Sequence, residues 1–501
     1  MGALLEIFRF MPSDFRACAR LLVFLSVAVA AAPVSAQNAF SPGGPDYLIA
    51  GPLGGDQTAP HAAVGANGGW LVWQDNAADG DGLGVSAVRL GSNLTAIASV
   101  FRVNQVGAGD QEKPRVALLQ NGGAVVVWQG GQFGFQKIVA RFLNPNGSFA
   151  TGDIAVNTYT NFHQVAPAVA TLADGSVIVV WSSFTQDGSL LGVYGQRFSA
   201  AGVKLGGEFR INQFVGNNQR TPAVAALANG NFVVAWVSEL QRGSSSVDIY
   251  ARIFDSAGGT VTGEFAVNPS STNLCANPSV AASAQGGFAA AWSQKDAVHR
   301  TVAGEFPAGA PRPNSWDVFV RLYGNSGAAA TGPVQLNTLN YGDQFAPQVS
   351  AFGKNYLAAW VSLGHDGARE GIYGQFLNSS GALEGVEFRA NTDTASRQIH
   401  PAIASDGVNR FLVLWTSFRA GSSFDLVARS YEIIRTEARP EAGGVRLTWN
   451  TQPGCVYQVQ VSSNLGSWIN QGPERPAAGT SDSLLLNLGN NASYYRVIRL
   501  R

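Results

Sequence analysis

The sequence has little charge and little cysteine. Only 13% of its 501 residues are charged, and 33 basic residues balance 33 acidic ones. Without a basic tract there is no surface for neutralising phosphates or anionic lipids, so we expect neither a nucleic-acid partner nor an electrostatic membrane anchor. Downstream of the N-terminal segment only Cys275 and Cys455 remain, too few for a disulfide scaffold or a cysteine-rich zinc site. A disulfide between them is one alternative, and two separate thiols are the favoured one.

Long hydrophobic runs are absent except near the N-terminus. Three arginines precede an apolar run, Leu21–Ala32, and residues 34–36 form a small-residue site. At about 1.5 Å per helical residue the run would span roughly 18 Å, short of a hydrocarbon core of about 30 Å. The pattern predicts a cleaved signal peptide over residues 1–36, no transmembrane segment, and a protein that is secreted or held at the bacterial cell surface.

What the sequence does contain is one unit repeated seven times. In each copy a tryptophan closes a short apolar run. A proline precedes that tryptophan by 13 or 14 residues, and in six copies an asparagine precedes the tryptophan by 23 or 24 residues. The tryptophan markers are Trp73, Trp128, Trp181, Trp236, Trp292, Trp360 and Trp415. Because three independent markers keep one period, a repeat architecture is predicted.

The third copy shows what each unit contains. Residues 168–172 are followed by a turn, and residues 177–181 are a β-branched run typical of a strand buried on both faces. Two more strand patterns follow at 193–198 and 208–212, while helix-period patterning is missing throughout the repeats. Four strands in each unit predict an all-β chain folded as a seven-bladed β-propeller.

The seventh copy lacks a fourth strand, because nothing after residue 431 matches the asparagine-ending segment of the other copies. Residues 47–50 stand 54 positions before residues 101–104 and match them in register. We therefore expect the N-terminal strand to complete the last blade of a propeller that occupies residues 37–431.

A family resemblance supports this interpretation. The run APAVATLADGSVIVVWSSFTQDGSLLGVYGQRF, residues 166–198, resembles a repeat of large secreted bacterial proteins, where it often stands beside calcium-binding or adhesion modules. The resemblance covers residues 46–431 and implies a structural role for the repeat. The copy that begins at Pro278 departs furthest, because Cys275 replaces a glutamine and the segment after Trp292 is longer.

Residues 432–501 read as a different unit, in which the seven-fold period stops and short segments alternate at strand period. The set Gly454, Tyr457, Ser462 and Trp468 resembles a small β-sandwich, fibronectin-type-III-like, found at the C-termini of secreted bacterial proteins. That resemblance implies a part in surface attachment or sorting.

Repeated polar residues are the first candidates for a binding site. Six copies carry a glutamine three residues before the proline, namely Gln57, Gln111, Gln164, Gln219, Gln344 and Gln398. Convergent amides could bind a sugar, but residues repeated with the symmetry of a fold more often satisfy backbone groups. The structural role is the favoured interpretation, for these glutamines as for the repeated asparagines and arginines.

Metal and catalytic motifs are not recognisable. Asp79 and Asp81 lack the spacing of a calcium loop, and the five histidines lie singly in different copies. Neither a nucleophile elbow nor a phosphate-binding loop occurs. We expect no metal, no cofactor and no catalytic residue, although acids from separate blades could converge at the propeller mouth.

One segment breaks the repeat symmetry. Between Trp292 and Val318 the chain is about 13 residues longer than its counterparts, and loops are where rigid scaffolds carry function. His299, Arg300 and Trp316 are therefore the predicted ligand-binding residues. A tolerated surface insertion is the alternative.

These observations favour a secreted, monomeric, non-catalytic binding or adhesion protein, with a glycan or an extracellular protein as its ligand. One alternative is a carbohydrate-active enzyme, a glycan hydrolase or lyase with its site at the propeller mouth. A purely structural module is the other alternative, since a fold alone does not determine an activity.

Overall fold

The computed structural model describes residues 39–42, 44–295, 315–339, 342–419, 421, 423–463, 467–487 and 494–500. These residues form strands and turns and contain no helix, so the prediction of an all-β chain is confirmed. A membrane-crossing helix is accordingly not found in the described part of the chain.

A set of four strands recurs along the chain, and we call the successive sets units 1 to 7. Two strands precede them, β1 (Ala39–Pro42) and β2 (Tyr47–Leu48). Units 1 and 2 contain β3 (Gln57–Gly65), β4 (Gly68–Asp75), β5 (Gly84–Leu90), β6 (Phe101–Arg102), β7 (Asp110–Leu118), β8 (Ala124–Gly131), β9 (Lys137–Leu143) and β10 (Ile154–Ala155). Units 3 and 4 contain β11 (Gln164–Thr171), β12 (Val177–Phe184), β13 (Leu191–Phe198), β14 (Lys204–Arg210), β15 (Gln219–Ala226), β16 (Phe232–Glu239), β17 (Val247–Phe254) and β18 (Phe265–Ala266).

The remaining units follow the same order. Units 5 and 6 contain β19 (Leu274–Ala282), β20 (Phe288–Lys295), β21 (Trp316–Tyr323), β22 (Val334–Gln335), β23 (Gln344–Phe352), β24 (Asn355–Leu363), β25 (Glu370–Leu377) and β26 (Leu383–Arg389). Unit 7 contains β27 (Gln398–Ser405), β28 (Arg410–Arg419) and β29 (Ser423–Ile434). The C-terminal segment contains β30 (Thr436–Glu441), β31 (Gly444–Asn450), β32 (Val456–Ser462), β33 (Ile469–Asn470), β34 (Arg475–Pro476), β35 (Ser481–Leu486) and β36 (Tyr494–Arg499).

Within a unit the strands pair in chain order and antiparallel. Units 1, 2, 3 and 6 are separate four-stranded sheets, and units 4 and 5 share one eight-stranded sheet through a parallel bridge between Val247 and Leu274. In unit 7 the strand β29 also pairs with β1 and β2, which places Tyr47 opposite Ala428. The first segment of the chain therefore lies in the sheet of the last unit.

The tryptophan-bearing second strands are the most buried elements. Along β12 every residue but the last is buried, as a β-branched strand covered on both faces should be. Trp181 packs in one cluster with Val125 and Val127 of unit 2, and Trp73 packs with Leu412 and Leu414 of unit 7. The hydrophobic core therefore lies between neighbouring units, and units 1 and 7 are neighbours.

Each first strand is interrupted directly before its proline. The residue there has a left-handed backbone, with φ between 51° and 55° in all seven units, and the pairing with the second strand shifts register at this point. These residues are Ala59, Lys113, Ala166, Thr221, Asn277, Ala346 and His400. None is a glycine, so surrounding contacts must offset the cost of this conformation.

Those contacts come from the preceding unit. The N–H of Ala166 donates to Gln129 Oε1 over 2.8 Å, and the N–H of Thr221 donates to Ser182 Oγ over 3.0 Å. In each pair the acceptor directly follows the tryptophan of the neighbouring unit. The interruption of the first strand therefore also fastens one unit to the next.

The C-terminal segment forms two small sheets over one core. Strands β30, β31 and β35 make the first sheet, and β32 lies at the centre of the second with β33, β34 and β36. Trp449, Tyr457 and Val497 are buried between them. Tyr457 donates its hydroxyl to the buried Glu432 of β29, at 3.1 and 3.2 Å from the two carboxylate oxygens, which ties this core to the end of unit 7.

Neither Cys275 nor Cys455 forms a disulfide, and both are buried. The expectation of two separate thiols is confirmed.

Candidate functional site

The predicted ligand-binding residues fall mostly outside the described chain. His299 and Arg300 belong to residues 296–314, which are not among the described residues. Trp316 is described: it is the first residue of β21, lies opposite Lys295, and its N–H donates to Asp343 Oδ1 over 3.1 Å. A ligand site formed by these three residues stays a prediction.

The six repeated glutamines have a structural role. Each side-chain amide donates to a backbone carbonyl two or three residues upstream, as Gln219 does to Gly216 over 2.6 Å and Gln344 to Gly342 over 2.9 Å. The others donate likewise. The interpretation of these residues as backbone-satisfying groups is confirmed, and they do not form a sugar-binding ring.

The repeated asparagines belong to the same buried network. In unit 3 Asn212 accepts the N–H of Val193 over 2.7 Å and donates to Asp187 Oδ2 over 3.3 Å. In unit 4 Asn268 instead donates to Asp248 Oδ1 over 2.8 Å. The carboxylate thus comes from the loop after the second strand in unit 3 and from the third strand itself in unit 4.

The third-strand arginines connect adjacent units. Arg252 donates to the carbonyl of Ile211 in unit 3 over 2.9 Å, and Arg321 donates to that of Val267 in unit 4 over 3.1 Å. Arg141 and Arg429 make the same contact with the unit before them. These guanidinium groups hold the sheets together and are not placed to meet a ligand.

The space that remains for a ligand is the channel between the first strands. Each first strand lies beside that of the next unit, from β3 through β27, and β27 lies beside β3. The residue directly after each proline differs from unit to unit, being His61, Arg115, Ala168, Ala223, Ser279, Gln348 and Ala402 in chain order. The wall is therefore asymmetric: His61 and Arg115 stand on adjacent strands, Gln348 stands on β23, and alanines occupy this position in units 3, 4 and 7.

His61 is held by the strand next to its own. The N–H of Val116 on β7 donates to His61 Nδ1 over 3.2 Å, so a neutral His61 carries its proton on Nε2. Burial, and secondly the charge of Arg115, lower the pKa of His61 to about 3. The imidazole is thus a neutral hydrogen-bond donor at physiological pH.

Arg115 is a cation enclosed by the channel wall. It is partly exposed to the channel solvent, it donates to its neighbour's carbonyl, that of Pro114, over 2.9 Å, and burial lowers its pKa to about 10. No carboxylate of the described residues offsets that burial. A guanidinium has five N–H donors, so most of those of Arg115 remain for a ligand.

His400 completes the cluster from the other side of unit 1. It is the left-handed residue before Pro401 on β27 and is exposed to solvent. Although the residue is exposed, partial desolvation of its ring, then the charges of Arg115 and Arg397, lower the pKa of His400. Three adjacent first strands, β27, β3 and β7, therefore carry two imidazoles, His400 and His61, and two cations, Lys113 and Arg115, beside their prolines.

Carboxylates at this end of the channel already have partners. Glu112 accepts from Gln129 over 2.9 Å, Glu239 pairs with Arg220 over 2.7 Å, and Glu370 pairs with Arg397 over 2.8 Å. In the residues that the structure describes, no group of three acidic, histidine or cysteine residues could hold a metal ion. The guanidinium and the imidazoles of the cluster can bind an anion and accept a proton.

The other end of the channel is apolar. A cavity of about 500 Å³ opens there, at the turns after β7, β11, β15 and β19, and it is lined chiefly by leucine and alanine such as Leu118, Leu172 and Ala284. It offers volume without ionisable side chains, so the polar cluster is the better candidate site.

Sequence reasoning missed this cluster because each copy was inspected by itself. His61 and Arg115 directly follow their prolines, and His400 directly precedes its own. Alignment of the seven copies on the proline shows that only units 1, 2 and 7 carry basic or imidazole side chains at the two positions beside it, namely His61, Lys113, Arg115 and His400.

No known protein-family model matches the chain, and no curated protein matches it either. Solved structures do. An α-L-arabinanase of Penicillium chrysogenum is 14% identical with a TM-score of 0.43, over 64% of this chain and 92% of that one. A GH93 α-L-arabinofuranosidase of Fusarium graminearum is 9% identical with a TM-score of 0.43, over 78% and 98%.

A third similar structure is the β-propeller domain of the trilobed protease from Pyrococcus furiosus, 8% identical with a TM-score of 0.42, over 75% of this chain and 94% of that one. At these identities the likeness concerns the fold. It agrees with the prediction of a β-propeller.

The comparisons contradict one prediction. The sequence favoured a non-catalytic binding or adhesion protein, but the arabinanase and the arabinofuranosidase are enzymes. The expectation that the chain is not an enzyme is corrected with it. The physical reason is that adjacency of the first strands brings together residues of separate copies, and that adjacency has no motif in the sequence.

Proposed function

We propose that this protein is a carbohydrate-active enzyme whose site lies in the channel between the first strands of its units. One observation carries the proposal: Arg115, His61 and His400 stand beside the prolines of three adjacent first strands, β7, β3 and β27. Ionisable groups with pKa values perturbed by burial are typical of sites where protons are transferred.

The proposed architecture is a seven-bladed propeller in which the N-terminal strand completes the last blade. Two repeated contacts support it. In unit 3 Glu208 accepts the N–H groups of Thr158 and Tyr159, and Asp46 accepts the N–H of Thr392 in the same manner over 2.8 Å. The segment around Asp46 thus makes the contacts of a fourth strand.

The second repeated contact joins the arginine of the third strand to the segment that serves as the fourth strand of the same unit. Arg252 donates through Nε to the carbonyl of Thr262 over 3.1 Å, and Arg429 donates through Nε to the carbonyl of Gly44 over 3.1 Å. Thr262 lies 10 residues after its arginine, whereas Gly44 lies 385 residues before Arg429. The same geometry at such different separations is what closure by the N-terminal strand requires.

We propose the same boundaries as the sequence indicated: a signal peptide over residues 1–36, the propeller over 37–431, and a fibronectin-type-III-like sandwich over 432–501. Export fits an enzyme that acts on polysaccharides outside the cell. The two sheets over the core of Trp449 and Tyr457 support a sandwich.

The proposed function is tested by turnover. The full chain, produced with its own N-terminal segment, is incubated with neutral and acidic polysaccharides, and new reducing ends are counted. We expect release from at least one glycan, and a loss of about 100-fold or more in kcat/KM for Arg115→Ala, in the range seen when a charge-stabilising group is removed. Arg220→Ala is the matched control, because that guanidinium lies on a first strand but pairs with Glu239. Absence of release from every glycan would refute the proposal.

A further inference from the structure

The polar cluster of the channel is selective for charge. Its cations are the guanidinium of Arg115 and the exposed ammonium group of Lys113 on the same strand, His61 beside them is a neutral donor, and the pKa of His400 is lowered. Glu112, on the same strand as Arg115, accepts from Gln129, and Glu370 pairs with Arg397. An uncompensated cation in an enclosed wall is costly unless a ligand supplies the counter-charge.

We propose that Arg115 and His61 bind the carboxylate of a sugar acid, so that the substrate is a uronic-acid polysaccharide. This inference rests on the proposed function and names its substrate class. Arginine recognises carboxylates through two parallel N–H donors. The Nε2–H of His61 provides another donor beside it, because Nδ1 is occupied by the N–H of Val116.

The fixed orientation of His61 distinguishes this arrangement from a chance surface arginine. An imidazole that turned freely would offer either nitrogen, whereas the contact over 3.2 Å with Val116 engages Nδ1 and leaves Nε2–H as the donor. Arg115 is likewise steadied by its bond to the carbonyl of Pro114 over 2.9 Å. Pre-organised donors lose little freedom when a ligand binds.

A bound uronate opens one class of reaction. When a guanidinium neutralises the carboxylate, the C5 proton beside it becomes more acidic. His400, a neutral imidazole, can accept that proton. The electrons of the C5–H bond then form a C4=C5 double bond, the C4–O bond breaks with its electron pair, and the leaving oxygen takes a proton from water. The products are an unsaturated uronate end and a chain with a free hydroxyl group.

Hydrolysis fits the described residues less well. A glycosidase needs two carboxyl groups on either side of the scissile bond, about 5 to 9.5 Å apart. The residues beside the prolines of β27, β3 and β7 include no carboxylate. Elimination needs a cation and a neutral base, and these are the groups present.

The test uses the full chain with polygalacturonate, alginate and chondroitin, each beside its carboxyl-reduced form, which lacks only the charge. Unsaturated products are followed by their ultraviolet absorbance and reducing ends in parallel, and binding is followed by retardation in gels that contain each polysaccharide. We expect unsaturated products from at least one acidic chain and none from its reduced form. Arg115→Ala should lower kcat/KM by about 100-fold or more, Arg115→Lys should retain part of the activity, and Arg220→Ala should be unaffected.

Other outcomes separate the two proposals. Cleavage of carboxyl-reduced chains that is unaffected by Arg115→Ala would leave an enzyme and overturn the uronate site. Retardation by an acidic chain that Arg115→Ala abolishes, without turnover, would keep the carboxylate site and overturn the enzyme. Neither retardation nor turnover would overturn both. If Arg115→Ala lowers the melting temperature, Arg115→Lys with an unchanged one provides the comparison.

Discussion

Cys275 lies directly opposite Gln294 on the neighbouring strand of unit 5, with Sγ 4.0 Å from Oε1. In four other units the first strand has a glutamine at this position and the second strand a serine, as with Gln344 and Ser362. In unit 5 the long amide has moved from one strand to the other. Gln294 Oε1 also accepts the indole N–H of Trp292 over 3.2 Å.

The first prediction concerns this exchange. Cys275→Gln places two long amides in one buried site, and Gln294→Ser removes the acceptor of Trp292, so each change should lower the free energy of unfolding by about 1–3 kcal/mol. The double variant restores the pattern of unit 6 and should recover most of the loss. Urea denaturation of the four proteins gives the coupling energy, expected at about 1–3 kcal/mol. If the losses of unfolding free energy in the two single variants simply add in the double variant, the two positions do not compensate each other and the prediction is wrong.

A second prediction concerns the carboxylate that accepts a hydrogen bond from the repeated asparagine. It is Asp187, in a loop, in unit 3 and Asp248, on a strand, in unit 4. In unit 3 a side chain on Gly192 would collide with Asp187, so Gly192→Asp alone should destabilise the protein by like-charge repulsion and overlap. Asp187→Gly alone should cost about 1–2 kcal/mol through the lost contact with Asn212. The double variant reproduces the arrangement of Asp248 in unit 4, and its urea midpoint should exceed that of either single variant. A double variant weaker than both would refute the equivalence.

Asp46 provides a test of the proposed closure. Its carboxylate accepts the N–H of Thr392 over 2.8 Å and the hydroxyl over 2.5 Å, so Asp46→Ala should cost about 1–2 kcal/mol. Hydrogen exchange of Tyr47 and Leu48 should accelerate in the variant. Asp153→Ala, which removes a similar contact with Gln105 from a strand not needed for closure, should leave the exchange of those two residues unchanged. Equal protection of β2 in wild type and Asp46→Ala would argue against closure.

The last prediction is a pH dependence. Burial and Arg115 lower the pKa of His61 to about 3, below the value of about 6.5 in an unfolded chain. As the pH falls the unfolded chain binds the proton first, so the stability that His61 contributes is present above about pH 6.5 and is lost as the pH falls toward 3. At pH 5 wild type should have lost up to about 2 kcal/mol relative to His61→Asn. Unfolding free energies at pH 7 and 5 measure this difference.

An imidazole proton resonance of His61 that titrates near pH 6.5 would contradict this prediction. A stability difference between wild type and His61→Asn that does not change with pH would contradict it as well.

Much of the fold follows from sequence because each repeated marker reports a different constraint. Trp181 marks the core between two units, and Asn212 marks the end of a fourth strand that accepts the N–H of Val193. The run at residues 177–181 lies in β12, Val177–Phe184, as its β-branched composition predicted.

The left-handed residue before each proline could not be predicted in this way. A residue in that position usually adopts an extended backbone, so Ala166 would be expected to continue the strand. Its actual conformation depends on Gln129, 37 residues away in another unit. A hydrogen bond between residues so far apart leaves no pattern in the local sequence.

The candidate site was hidden for a related reason. His61 and Arg115 are 54 positions apart and His400 is far along the chain, and only the adjacency of β27, β3 and β7 brings them together. The sequence drew attention to the long segment of unit 5 because an insertion is visible in a single copy. Polar residues in three different copies can be recognised as one cluster only when it is known which first strands are neighbours.

The interrupted first strands also bear on what happens while the chain is being synthesised. While the chain emerges unit by unit, every first strand is an open edge that another extended segment could extend into an aggregate. A proline donates no hydrogen bond, and the left-handed residue before it turns the ladder aside, so β11 pairs continuously only over its last four residues, Ala168–Thr171. A strand from elsewhere could pair continuously with β11 only over the same four residues. The bend that joins neighbouring units thus also limits incorrect strand pairing between the repeated units during synthesis.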